Sequence, residues 1–271
     1  HLGYTFNRTA RALAYGFTGG SNHAPNSADA FTAPYYKIIN RFSTNFALTA
    51  DMCLGLLAGE IKRKEMLSGR LADIHAYMFI ATSILKFYEH GQRTQAEQIH
   101  AQLALEKVLF QTQEAFIGLF DNFPYSLAAS LVKLVCFPFG RSLVKPSDEL
   151  KQLAGDLIME DNAFRNLLKQ HVYYNTDPQD VTGRMESTFQ SLLQINNLWD
   201  KFKKSESKDL FKGLTFEEHI HDAIQINFIT QVEANRLLEY NAIRYDSMLT
   251  DIFNEHLNEV LPLENAHLPS Q

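Results

Sequence analysis

Two Glu-x-x-His spacings are the first residues in this chain that could do chemistry: Glu97-Gln98-Ile99-His100 and Glu218-His219-Ile220-His221. On a helix that spacing sets a carboxylate and an imidazole on one face. Two such pairs, with one glutamate from each of two further helices, hold the di-metal centre of ferritin-like bundles. Each pair also has a local reading. Thr215 and Glu218 form a capping-box pattern, in which the glutamate turns back to the start of its own helix, and Glu97 falls in a first helical turn, where the helix dipole favours an acid. We expect the local reading and keep the di-metal bundle as an alternative. Gly19-Gly20-Ser21 lacks the lysine and the preceding strand of a phosphate-binding loop, so it reads as a helix stop. No Gly-x-Ser-x-Gly elbow occurs, and Cys53 and Cys136 stand alone in apolar surroundings, without C-x-x-C spacing. Neither an activated nucleophile nor a thiolate metal site is expected, and such cysteine usage fits a reducing cytoplasm.

A second kind of chemistry is electrostatic. Lys62-Arg63-Lys64, with Arg70, is the densest basic patch in a chain of formal net charge −6. It lies at the junction of two apolar helices. It reads either as a solvated connection with cations at a helix C-terminus or as a contact for an anion, whether a lipid head group or a charged substrate. The segment Leu127 to Phe139 is apolar except for Ser130 and Lys133, and is far shorter than the ~20 residues a spanning helix needs. Burial is its expected fate, with a place in the membrane interface as the alternative. The candidate membrane or anion contacts are therefore Lys62, Arg63, Lys64, Arg70, Lys133 and Arg141, and no catalytic, cofactor-binding or metal-binding residue is assigned. The negative overall charge gives no global field for phosphate backbones, and nucleic acid is set aside as a partner.

The elements that must position these residues are helices. Apolar residues make up 45% of the 271, with 20 Phe and 11 Tyr, which is too rich for a disordered chain. Helices are predicted from Leu2 to Phe17, Tyr35 to Glu60, Met66 to Glu89, Thr94 to Phe120 and Leu127 to Phe139. Another starts at Pro146-Ser147-Asp148 and another runs from Arg184 to Phe202. A charged linker through Lys203, Lys204, Glu206 and Lys208 follows, then helices from near Phe216 and Gln231. In the third of these, Leu67, Leu71, Ile74, Met78, Ala81, Leu85 and Tyr88 form one stripe, and Tyr77, Ile80, Ile84 and Phe87 a second. A helix apolar on two sides is expected in the middle of a bundle. Nothing alternates as strands do. The predicted fold is all-α, a multi-helix bundle over 1–175 with a smaller helical C-terminal part over 176–271, divided in the polar, turn-rich stretch from Asn175 to Gly183.

Several phrases occur in an order that resembles one family. Leu67-Ser68-Gly69-Arg70-Leu71-Ala72-Asp73, Asp121-Asn122-Phe123-Pro124, Phe137-Pro138-Phe139-Gly140-Arg141 and Pro146-Ser147-Asp148 resemble the C-terminal region of the large bacterial, long-chain acyl-CoA dehydrogenases of fatty-acid β-oxidation. The tail from Gly213-Leu214-Thr215 through Glu233-Ala234 and Arg244 to Phe253 resembles the family's end more loosely. The resemblance implies a parent that holds FAD between upstream domains and uses a glutamate to take the α-proton of an acyl-CoA while the β-hydrogen leaves as hydride. That glutamate has no counterpart here, and the chain, beginning at His1 and not Met, is expected to open inside a longer protein. The implied role is a helical extension, inactive when isolated, whose partners are the upstream dehydrogenase domains, a peripheral contact with the inner membrane and a second copy in a homodimer. A non-enzymatic helical interaction or membrane-docking module is the alternative.

Overall fold

The computed structural model describes residues 2–173, 175, 177 and 180–249, and among these there are ten α-helices and one 3-10 segment, with no strand. The all-α expectation holds. Two compact units divide the chain, His1–Asn166 and Leu167–Gln271. The expected division at 175/176 falls where residue 176 lies outside the described residues, as does Phe253 of the tail.

In the N-terminal unit, α1 (Leu2–Thr18) ends at two glycines with φ of 78° and 130°. A Cβ on Gly20 would sit 2.0 Å from the Lys37 carbonyl oxygen, so the turn that brings α1 back onto the next helix requires glycine there. α2 (Ala33–Leu57) starts with Pro34 in its first turn, where the missing N–H costs nothing. It does not run on to Glu60: the chain tightens into a 3-10 segment, Ala58–Arg63, through Ala58 at φ 45°. α3 (Glu65–His90) and α4 (Gln95–Asp121) are joined by a short connection and pack along their lengths. They are antiparallel, since Arg70 near the start of α3 lies over Gly118 near the end of α4. α5 (Ser126–Cys136) and α6 (Asp148–Ile158) pack on α4, and α5 also packs on α1. Ser147 Oγ accepts from Leu150 N at 3.1 Å to begin α6, as the Pro-Ser-Asp signal predicts.

The core of this unit is aromatic and aliphatic. Phe42, Phe116 and Phe137 are mutually in ring contact at 5.7–6.2 Å, and Phe120 joins Phe116 and Phe137. Ile74, Leu85, Leu105, Leu109, Ile117 and Leu119 surround them, fully buried. Removing one such ring, Phe116→Ala, is expected to cost about 3–5 kcal/mol through lost burial and the cavity left behind. Along α3, Leu67, Ile74, Met78, Ala81, Leu85 and Tyr88 are buried as their spacing predicts. The second stripe is not covered as expected. Tyr77 and Ile84 pack partly against the core, but Ile80 and Phe87 are exposed beside Phe79, because α2 and α4 occupy only part of the circumference of α3.

α7 (Ala163–Lys169) is a short helix that periodicity did not mark. In the C-terminal unit, α8 (Val181–Glu206), α9 (Phe216–Gln225) and α10 (Gln231–Met248) surround Ile195, Phe202, Phe211, Ile220, Leu237 and Tyr240. Lys203, Lys204 and Glu206 are not linker residues: they form the last turn of α8, where lysines complement the carbonyl end and Lys203 pairs with Glu206. The connection is 207–215.

Candidate functional site

The six candidate cations divide by what they touch. Lys62 and Arg63 close the 3-10 segment, exposed, and Lys64 follows it, half-buried; none of the three forms an ion pair among the described residues. Arg70, half-buried, donates to the Met66 carbonyl oxygen at 3.4 Å and lies over Gly118. Lys133 Nζ is 2.6 Å from Asp121 Oδ1, and Arg141 Nε is 2.8 Å from Glu114 Oε1. The last two turns of α4 thus gather three of them, Arg141 at Glu114, Arg70 at Gly118 and Lys133 at Asp121. That gathering is tertiary, because α4 supplies the acids and the gap while α3, α5 and the chain after α5 supply the cations. Lys133 and Arg141 are locally neutralised, which leaves Lys62, Arg63, Lys64 and Arg70 without an acidic partner among the described residues.

The helix beside them is amphipathic. Ala129 and Cys136 of α5 are buried, but Leu127, Leu131 and Leu134, at four- and three-residue steps, are exposed by 76, 58 and 61%. Burial of the whole segment is therefore corrected: α5 has one face to bury, α1, α2 and α4 pack on the helix, and the three leucines stay exposed. Beyond its end, exposed Phe139 meets exposed Phe17 of α1 edge-on, with centroids 5.4 Å apart.

Three buried polar residues that the sequence reading passed over hold this region in place. Arg41 Nη2 and Asn45 Nδ2 of α2 both donate to the Cys136 carbonyl oxygen, at 3.1 and 3.3 Å, where the C-terminus of α5 is electronegative. Arg41 also lies over the Phe137 ring, 5.2 Å from its centroid. Gln113 of α4, fully buried, accepts from Ser142 N and Leu143 N at 2.9 Å each and donates to the Leu143 carbonyl oxygen at 3.1 Å. A signal for the α2 pair existed in the spacing, since Arg41, Asn45 and Thr49 step by four along the buried face of that helix.

The Glu-x-x-His residues are taken up locally. Glu97 Oε2 accepts from Thr94 N at 2.8 Å while Thr94 Oγ1 accepts from Glu97 N at 3.2 Å, a complete capping box, and His100 Nδ1 is 2.7 Å from the Ala96 carbonyl oxygen. Glu218 Oε2 accepts from Leu214 N and Thr215 N at 2.6 and 3.2 Å, with Thr215 Oγ1 completing the second box, and His221 is exposed. The structured imidazole is His219, whose Nδ1 is 2.7 Å from Glu206 Oε1 and whose Nε2 is 2.7 Å from the Gly213 carbonyl oxygen. The Glu206 carboxylate raises its pKa above the usual histidine value. Among the described residues no three His, Cys, Asp or Glu side chains gather as a metal ion would need. Burial pushes the Cys53 thiol up to about 11 and that of Cys136 to about 12, so neither is a thiolate near neutral pH.

A cavity of about 330 Å³ between α8 and α10 is lined by Ser191, Gln194, Ile195, Arg236, Glu239 and Tyr240. It lies at the small end of ligand sites, and its wall carries one base, Arg236, and one acid, Glu239. Gly19-Gly20 follows a helix and is filled by the Lys37 backbone. No helix among the described residues is long and apolar enough to cross a membrane. No solved structure matches the chain. A family model does: acyl-CoA dehydrogenase, C-terminal, bacterial type, over residues 1–253.

Proposed function

The chain belongs to the bacterial-type acyl-CoA dehydrogenase C-terminal family, and from that premise we propose that it is the accessory helical domain of an FAD-dependent long-chain dehydrogenase. The parent converts acyl-CoA to trans-2-enoyl-CoA in fatty-acid β-oxidation, and its flavin and catalytic glutamate reside in its other domains. The observation that carries this reading is the match across residues 1–253. The division of labour is supported by the side chains themselves. The acids, histidines and thiols with a chemical look serve helix starts, a helix-to-loop staple and the core, and the cavity between α8 and α10 is unsuited to a dinucleotide.

The task of the domain in this reading is attachment. Lys62, Arg63 and Lys64 supply attraction to an anionic inner-membrane surface, at roughly 1 kcal/mol per basic residue near it. The leucine face of α5 enters the lipid interface as a surface-lying helix, with Arg70, Lys133 and Arg141 along the end of α4 as the further cationic contacts. Unpaired charge in the first group and exposed leucines in the second support this assignment. Flotation of the parent with vesicles containing anionic lipid tests it. Lys62→Glu with Arg63→Glu and Lys64→Glu is expected to release the enzyme while acyl-CoA oxidation in solution persists. Undiminished flotation of that variant overturns the membrane role, and a parent that purifies without flavin or acyl-CoA oxidation overturns the enzymatic one.

A further inference from the structure

The cavity between α8 and α10 is walled by polar groups that folding leaves without partners. Tyr240 is only 6% exposed, its ring edge-on to Trp199 with centroids 4.8 Å apart, yet its hydroxyl makes no hydrogen bond among the described residues. A buried phenol ordinarily finds a partner, because leaving it bare forfeits the hydrogen bond it had in water. Tyr240 gives onto the cavity, so the partner it lacks is one the cavity can hold. Arg236 and Glu239 line the same space, three residues apart on α10, and neither forms an ion pair among the described residues. The other acid near Arg236 is Glu233, whose carboxylate is taken up at the start of α10, 2.8 Å from Thr230 N.

The opposite wall, from α8, adds acceptors and an apolar patch. Ser191 Oγ donates to the Ser187 carbonyl oxygen at 2.9 Å, which leaves its lone pairs free to accept. The Gln194 amide makes no hydrogen bond among the described residues, and Ile195, buried, meets the cavity together with half-buried Ile243 of α10. This combination selects a ligand by charge. A simple anion suits Arg236 but is opposed by Glu239, and a simple cation meets the reverse conflict. A molecule carrying both signs on neighbouring atoms satisfies the two side chains at once. Its carboxylate takes charge-assisted hydrogen bonds from Arg236 and the Tyr240 hydroxyl, while its ammonium donates to Glu239 and to the Ser191 and Gln194 oxygens. An aliphatic remainder fits Ile195 and Ile243, and the small volume admits a single residue and not a peptide.

We infer that the cavity between α8 and α10 is a binding site for a free α-amino acid with an aliphatic side chain, held through its carboxylate by Arg236 and Tyr240 and through its ammonium by Glu239. The site is built within the C-terminal unit alone and is independent of both the flavin chemistry and the membrane contact proposed for the parent. A ligand of this size binds at a dissociation constant on the order of 1 mM or tighter.

Titration of the whole chain with L-leucine, followed by calorimetry and by the fluorescence of Trp199, tests it. Trp199 is the only tryptophan and touches Tyr240, so it reports on the site directly. Saturable binding is expected in both signals. Two probes each lack one charge of leucine: 4-methylpentanoate has no ammonium and 3-methylbutylamine no carboxylate, and each is expected to bind at least about tenfold more weakly. Arg236→Gln and Glu239→Gln, both at exposed positions, are expected to weaken leucine by a similar factor with an unchanged melting temperature. Tyr240→Phe, which removes only the unpaired hydroxyl, is expected to weaken it several-fold without loss of stability. No saturable signal up to about 10 mM leucine overturns the inference, since that is well above the expected constant. So does 4-methylpentanoate or 3-methylbutylamine binding as tightly as leucine, or leucine binding that Arg236→Gln and Glu239→Gln leave intact.

Discussion

Gln113 shows how much one side chain can fix. Its amide satisfies two backbone N–H groups and one carbonyl of the segment that leaves α5, in the absence of any regular element there. Gln113→Leu strands those groups in an apolar setting, and a loss of about 3 kcal/mol is expected, given ~1–3 kcal/mol for each unsatisfied buried donor. The check is a lower melting temperature together with faster tryptic cleavage at Arg141. Ala58 is a residue working against its own conformational preference, at φ 45° and ψ −123°. Ala58→Gly removes that strain and should stabilise by about 1 kcal/mol, raising the melting temperature by ~2–4 °C; a lower one would contradict the strain. His219 supplies a pH dependence. Its folded-state pKa is raised by Glu206, so the stabilisation is fully present below the ordinary histidine value of ~6.5 and fades as pH rises through the raised one. The only tryptophan, Trp199, lies in the same unit. The urea midpoint read by its fluorescence is expected to fall as pH climbs above that range, and His219→Gln to flatten the fall.

At the scale of elements, the features readable in advance were those written in local chemistry. Thr215 with Glu218 announced a capping box, and Thr94 with Glu97 makes another. Thr94→Ala should cost about 1 kcal/mol in thermal unfolding of the N-terminal unit. The stripe from Leu67 to Tyr88 gave α3 its length and its buried face. What local pattern cannot give is which second face finds a partner. The same periodicity that suggested a two-sided α3 and a buried α5 is satisfied when neighbours cover one side only, and the coverage depends on α1, α2 and α4 from elsewhere in the chain. The end of α8 was misread for a related reason, since Lys203, Lys204 and Glu206 look like linker composition until the Lys203–Glu206 pair and the reach of Glu206 to His219 are seen. Leu131, exposed on α5, makes the functional version of this point testable. Leu131→Glu should leave the melting temperature within experimental error and reduce vesicle binding, whereas a fall in stability would show that the leucine face is covered.

For the whole molecule, the phrases that resembled the dehydrogenases proved to be mostly architecture. Phe123 and Phe137 are core residues, Gly140 turns at φ 70°, Arg141 pairs with Glu114, and Ser147 caps α6. They were legible because turns, caps and close contacts restrict residue type locally. Arg41, Asn45 and Gln113 were not, because polar groups inside a core declare themselves only through distant carbonyl and amide partners. The basic site was half legible: Lys62-Arg63-Lys64 is a sequence cluster, but the meeting of Arg70, Lys133 and Arg141 along the end of α4 is made by the fold. In the proposed role, the residues of this chain organise and attach an enzyme whose flavin chemistry lies elsewhere. That role is tested most directly by incubating the purified chain with FAD, removing free cofactor by gel filtration, and recording the visible flavin absorbance of the protein peak. A colourless peak is expected, and a yellow one carrying about one flavin per chain would contradict the proposed role.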